Sequence, residues 1–162
     1  MPYALFDTAL GTCGIAWSEH GITAVELPEA TGDIVGEPNE VVAHAIAAVQ
    51  ALLDGRAVDL STIPVVLDVS DFDRAVYDVA RAIAFGSVLT YGAVAAKLGR
   101  PGAAQAVGGA LGRNPVPIIV PCHRVLGSGR AVGGFSAPGG VNAKRRILAI
   151  EGVAGFGEAT LF

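Results

Sequence analysis

Residues 90–114 read TYGAVAAKLGRPGAAQAVGGALGRN. Thr90 is a helix-capping residue type, and the helical stretch it opens is stopped by Gly99. A second stretch over 100–114 has Pro101 near its start. Two short helices joined by GRPG predict a helix-turn-helix. The second helix is unusual. Ala103, Ala104, Ala106, Gly108, Gly109 and Ala110 leave its backbone nearly bare, and each glycine within a helix costs about 1 kcal/mol relative to alanine. Close packing against another helix explains such a surface. So does entry into a minor groove roughly 6 Å wide, where bulky side chains do not fit.

The next stretch, NPVPIIVPCHRVLG at 114–127, surrounds one thiol with stiff apolar backbone. Pro115, Pro117 and Pro121 cannot donate to a sheet ladder, so the segment is read as a buried loop rather than a central strand. A thiolate is the nucleophile, so a working Cys122 needs a base. His123 is adjacent, but neighbours in extended chain point to opposite faces. Their contact needs a turn or an intervening water. Glu151 is the only acid between residues 79 and 157 and is the candidate to fix the His123 tautomer. Taken alone, the pair also fits a structural cysteine in a proline-rich turn.

Upstream, SDFDRAVYDVARAIAF (70–85) begins at a Ser70 or Asp71 cap and carries an apolar stripe of Phe72, Val76, Val79, Ala80 and Ile83. Downstream, a glycine-rich loop leads to a final helix over 141–151. The front of the chain differs. Short β-prone runs at 3–8, 12–18 and 21–28 predict an antiparallel meander, residues 39–53 a helix, and 58–69 a further strand. The expected fold is α+β. An N-terminal α/β domain (1–69) with a small sheet and a helix precedes a mainly helical domain (70–162) with a winged helix-turn-helix-like motif.

The 162 residues, 52% apolar with a mean hydropathy of +0.54, suffice for a sizeable core. The longest apolar run, 41–53, carries His44 and Gln50 and is too short to span a bilayer. The start, MPYALFDTALG, has no basic stretch and carries Asp7, so no secretory signal is expected. Cys13 and Cys122 do not make a disulfide framework, which fits a reducing interior. The net charge of −4 hides an asymmetry: residues 1–80 hold 13 acids and two bases, residues 81–162 nine bases and two acids. The basic half suits phosphates, although two solvated faces of one globule give the same count.

The core PCHRV, within PVPIIVPCHRV, resembles the active-site signature of the O6-alkylguanine-DNA alkyltransferases. TYGAVAAKLG, PGAAQAVGGALGRNPVPIIVPCHRV, AVGGFS and the EG of the last helix follow that family's order and spacing over residues 72–152. The resemblance implies that Cys122 attacks the alkyl carbon on guanine O6 and keeps the group, so each molecule acts once. It implies His123 as base through a water, Glu151 as its orienter, and Asn114 as the tie between helical motif and loop. Tyr91 would help turn the nucleotide out. Backbone groups of Cys122 and Val125 would read the base, Ser136 would face O6, and Pro117 would line the alkyl pocket. Thr90, Ala104, Gln105, Gly108, Gly109, Arg113, Arg124 and Phe135 complete the expected DNA- and substrate-facing set. The implied partner is double-stranded DNA containing O6-alkylguanine. No cofactor, metal or membrane is implied, and a cytoplasmic monomer is expected, nuclear in a eukaryote.

Two positions depart from the pattern. Gln105 stands where an arginine wedge is usual, and Phe135 where a tyrosine is. Cys13, His20 and His44 do not make the zinc set that some members carry. A lesion-binding sensor without efficient transfer, like the alkyltransferase-like proteins, is the second reading, although those lack the cysteine present here. A cysteine hydrolase is the third and lacks an evident oxyanion hole.

Overall fold

The computed structural model describes residues 1–130 and 140–156. β1 (Tyr3–Thr8), β2 (Gly11–Ser18) and β3 (Gly21–Glu26) form an antiparallel sheet in that order. Tyr3 pairs with Ala16 and Ile15 with Val25, and a bulge interrupts the register at Ala16/Trp17. Helix α1 (Glu40–Leu53) packs on the sheet through Val42, Ala45, Val49, Leu52 and Leu53. Its cap is Asn39, whose side chain accepts from the Val42 N–H at 3.0 Å.

The strand expected within 58–69 does not form. Only an isolated bridge joins Val65 to Ile22, with Ile22 N–H donating to Pro64 O (2.9 Å) and Val66 N–H to Ile22 O (2.8 Å). Pro64 has no N–H to extend the ladder.

α2 (Asp71–Arg81) starts at Ser70, whose hydroxyl accepts from the Asp73 N–H, and ends before the expected Phe85. β4 (Leu89–Thr90) leads straight into α3 (Tyr91–Lys97), capped by Thr90. α4 (Ala104–Gly112) starts later than the sequence suggests, because Pro101 and Gly102 form a turn. It buries Val107, Ala110 and Leu111 and exposes Gln105, Ala106 and Gly109. β5 (Val125–Leu126) pairs in parallel with β4, and α5 is Gly140–Ile150.

One apolar cluster runs through the molecule. Ile15 and Trp17 of the sheet, Leu52 of α1, Val76 of α2, Val107 of α4, Val120 of the proline-rich loop and Ile147 of α5 all belong to it. Each fully buried Val, Leu or Ile contributes about 1.5–3 kcal/mol. Val25 N–H of β3 also donates to Pro115 O (2.9 Å), so the sheet braces the loop that carries Cys122. The architecture is α+β.

Candidate active site

Asn114 shapes the loop before Cys122. Its Nδ2 donates to Val120 O (2.8 Å) and its Oδ1 accepts from the Val116 N–H (3.0 Å), closing residues 114–120 into a bracket. Val120 N–H donates to Val116 O (2.9 Å) within it. Ile118 is forced to a φ of 75°, a region that β-branched residues rarely adopt. The chain then tightens into a 3-10 turn over Cys122–Arg124. That turn removes the extended geometry which would have separated neighbouring side chains.

Cys122 is 3% exposed and His123 is fully buried. His123 Nε2 lies 2.7 Å from Glu151 Oε2. The same carboxylate accepts from Arg124 Nε (2.9 Å) and Nη2 (2.8 Å). Burial pushes the Glu151 carboxyl up, but the hydrogen bonds from His123 and Arg124, and their charge, overcome it and hold it down at about 2. Burial lowers the His123 imidazole from its ordinary value against the pull of Glu151, so the ring rests neutral at pH 7. An ionised carboxylate requires a hydrogen on the nitrogen it faces, which is Nε2. Nδ1 therefore carries the lone pair, and it has no hydrogen-bond partner among the described residues.

Burial pushes the Cys122 thiol up. The Asn114 side chain, the Lys144 ammonium and nearby backbone N–H groups act in the opposite direction. Tyr91 is half-buried at the start of α3. Burial, followed by the Cys122 charge, raises its hydroxyl, so it stays protonated and able to donate. Gly108 of α4 comes close to it, since a Cβ there would lie 3.8 Å from the Tyr91 ring. Pro117 is buried at the foot of the loop, bridged to Val120.

Residues 71–153 match the family model described as 6-O-methylguanine DNA methyltransferase, DNA binding domain. The methylated-DNA–protein-cysteine methyltransferase of Methanothermobacter thermautotrophicus is 38% identical over 146 residues, covering 87% of this chain and 80% of that protein. The chain belongs to the 6-O-methylguanine DNA methyltransferase family. The Mycobacterium tuberculosis relative is 42% identical over 106 residues, 64% of this chain and 63% of its own. The crystal structure of Mycobacterium tuberculosis OGT in complex with DNA superposes with a TM-score of 0.80 at 32% identity, over 93% of this chain and 92% of the other.

Within this member of the methyltransferase family, the structure brings Cys122, His123 and Glu151 into one buried cluster, with the half-buried Asn114 beside it. Tyr91 and Gly108 lie together where α3 meets α4. Thr90, Ala104, Gln105 and Gly109 lie on these same two helices, at the Thr90 cap and along α4. Arg113 follows α4, exposed but held by Asp73 through two bonds of 3.1 and 2.9 Å. Arg124 corrects an expectation. It is buried, with Nη1 donating to Ile83 O (2.7 Å) and its other nitrogens on Glu151, so it serves the interior rather than a DNA surface. Phe135 and Ser136 fall outside the described residues. Cys13 is fully buried in β2, while His20 and His44 are exposed. Among the described residues, no cluster of three or more His, Cys, Asp or Glu is placed to hold a metal, and no helix is long and apolar enough to cross a membrane.

Sequence reasoning missed two groups. Tyr77, which donates to Ala110 O (2.7 Å), fixes α2 to α4. Lys144 is 2% exposed on the same face of α5 as Ile147 and Leu148. A cation inside a helix's apolar stripe was the available signal for it.

Proposed function

We propose that this chain repairs O6-alkylguanine in double-stranded DNA by moving the alkyl group onto Cys122 Sγ, once per molecule. The observation that carries the reading is the buried Cys122–His123–Glu151 arrangement, with a lone pair on His123 Nδ1. His123 takes the thiol proton through a water, and Glu151 holds the ring that receives it. The S–C bond forms as the C–O6 bond breaks, and the electron pair leaves on the guanine ring. The Tyr91 hydroxyl donates toward that ring as its charge grows. No cofactor enters the step.

A stacked base hides its reactive atom, so it must be turned out of the duplex at a few kcal/mol. The bare outer face of α4, with Gln105 its one long side chain, fits a narrow groove, and the exposed bases Lys97, Arg100, Arg145 and Arg146 supply phosphate attraction. In this reading residues 70–162 carry the DNA contacts and the acceptor, and residues 1–69 brace them. The protein works as a monomer in the cytoplasm, or in the nucleus of a eukaryote, which suits its two free thiols.

The test is intact-protein mass after exposure to duplex DNA carrying O6-methylguanine. One methyl group per chain, mapped to Cys122, is expected. A DNA complex without a mass change would favour the lesion-sensor reading. Repeated turnover would favour the hydrolase, and a methyl group on Cys13 would overturn the assignment of the acceptor.

A further inference from the structure

Lys144 is the buried charge that the chemistry above leaves unused. A lysine is almost never fully buried unless its charge is paired. Among the described residues no carboxylate pairs with Lys144. Its Nζ donates to Val125 O (2.8 Å) and lies 5.7 Å from the centre of the Tyr91 ring. Both neighbours belong to the thiol pocket. Val125 follows the turn that carries Cys122, and Tyr91 stands at the head of α3.

The groups around Cys122 and His123 come from every element packed there. Asn114 comes from the loop, Tyr77 from α2, Tyr91 from α3, His123 and Arg124 from the turn, and Glu151 from just beyond α5. Arg124 and Glu151 neutralise each other through two hydrogen bonds. The His123 ring rests neutral, and both tyrosines stay protonated. Lys144 is then the one charge in this set that no opposite charge offsets, and a Cys122 thiolate is the group that would offset it.

We propose that Lys144 is a positioning residue for the reaction, a fixed positive charge that favours the thiolate of Cys122 without touching the substrate. The pairing is mutual. Burial opposes the ammonium as it opposes the thiolate, and the Cys122 charge supports Lys144 in return. Lys144 also opposes a charged His123, which keeps the imidazole in the form able to accept a proton. The use of this charge rests on the alkyl-transfer reading, but its detection does not.

The experiment compares Lys144→Met and Lys144→Arg in a Cys13→Ser chain, so that one thiol titrates. Thiolate ultraviolet absorbance is followed against pH, with circular dichroism as the check of folding. In Lys144→Met the thiolate should emerge at higher pH, while Lys144→Arg should stay close to the parent. Transfer from free O6-methylguanine at pH 7 should slow about ten-fold in Lys144→Met, at the low end of what an opposite charge beside an acid produces, and recover as pH rises. A folded Lys144→Met with an unchanged thiolate titration and pH–rate profile overturns the proposal. If that variant does not fold, nitrogen NMR of the lysine Nζ in Cys122→Ser decides. The Lys144 titration should move down once the thiolate partner is gone, and an unmoved titration overturns the proposal. If the parent transfers no alkyl group at all, the repair reading fails, and the thiolate titration still decides whether Lys144 acts on Cys122.

Discussion

His123 Nε2 and Glu151 Oε2 lie 2.7 Å apart with both side chains fully buried, and Arg124 grips the same carboxylate from the other side. The carboxylate therefore answers to two donors, and the histidine has one orientation. His123→Phe removes the proposed base. Glu151→Gln leaves the ring in place but weakens its hold. Both should slow alkyl transfer, by roughly 100-fold for the loss of a general base. The slowing of His123→Phe should shrink at high pH, where Cys122 ionises unaided. Single-turnover rates across pH decide this, and a profile matching wild type would remove His123 from the mechanism.

The same cluster predicts how stability falls with acid. Glu151 titrates at about 2 in the folded protein against an ordinary 4.5, so its contribution is complete above 4.5 and is lost as pH falls toward 2. His123 adds a loss at milder pH. Its folded value lies below the ordinary 6.5, so the unfolded chain binds the proton first and stability drops as pH falls through that value. Denaturant midpoints measured from pH 7 to pH 3 should fall in these two stages. Glu151→Gln should be less stable at pH 7, by about 3 kcal/mol for an abandoned buried Arg124 charge, and flatter below pH 4.5.

Two glycines on α4 should respond differently to alanine. At Gly108 a Cβ would meet the Tyr91 ring at an ordinary 3.8 Å, so Gly108→Ala should gain about 1 kcal/mol of helix propensity and melt higher. At Gly109 it would press to 3.2 Å on Arg113 Nη1, disturbing the Asp73 pair, so Gly109→Ala should gain less. In the proposed groove-entry role both should slow repair of duplex DNA and leave reaction with the free base unchanged. Thermal melts and paired rate measurements check both halves.

Gln105 is exposed on the bare face of α4. An arginine there is longer, charged and able to fill the gap left by a flipped base. Gln105→Arg should raise the transfer rate on duplex DNA and leave the free-base rate unchanged, because only the duplex needs a wedge. An unchanged duplex rate would place the wedge elsewhere, at Arg100 for example.

The meander, α1 and the two short helices were legible from period, caps and glycine stops: Ser70 and Thr90 each cap the helix their type announces, while the Asn39 cap of α1 came from the structure. The segment 58–69 was misread because its β-prone residues surround Pro64, which breaks the ladder. At the site, Cys122, His123 and Glu151 could be named from residue type and the scarcity of acids. Arg124 could not, since an arginine beside a nucleophile reads equally as a DNA contact or an internal ion pair. Only three-dimensional proximity to Ile83 O and Glu151 separates the two. Lys144 left one signal, a cation inside an apolar stripe, and its partner is a backbone carbonyl that residue types do not reveal.

Ile118 carries a last consequence. A β-branched residue at a φ of 75° is disfavoured by about 1–3 kcal/mol, so the free loop would not choose this shape. The Asn114 bracket and the common core impose it, and the core includes the front sheet. A half-folded chain therefore holds an ordinary thiol, and competence arrives only with the complete molecule. In the proposed reaction, which each molecule performs once, repair capacity is then a head-count of fully folded chains. Any substitution that loosens the core, however far from Cys122, is paid back lesion for lesion in damage left standing.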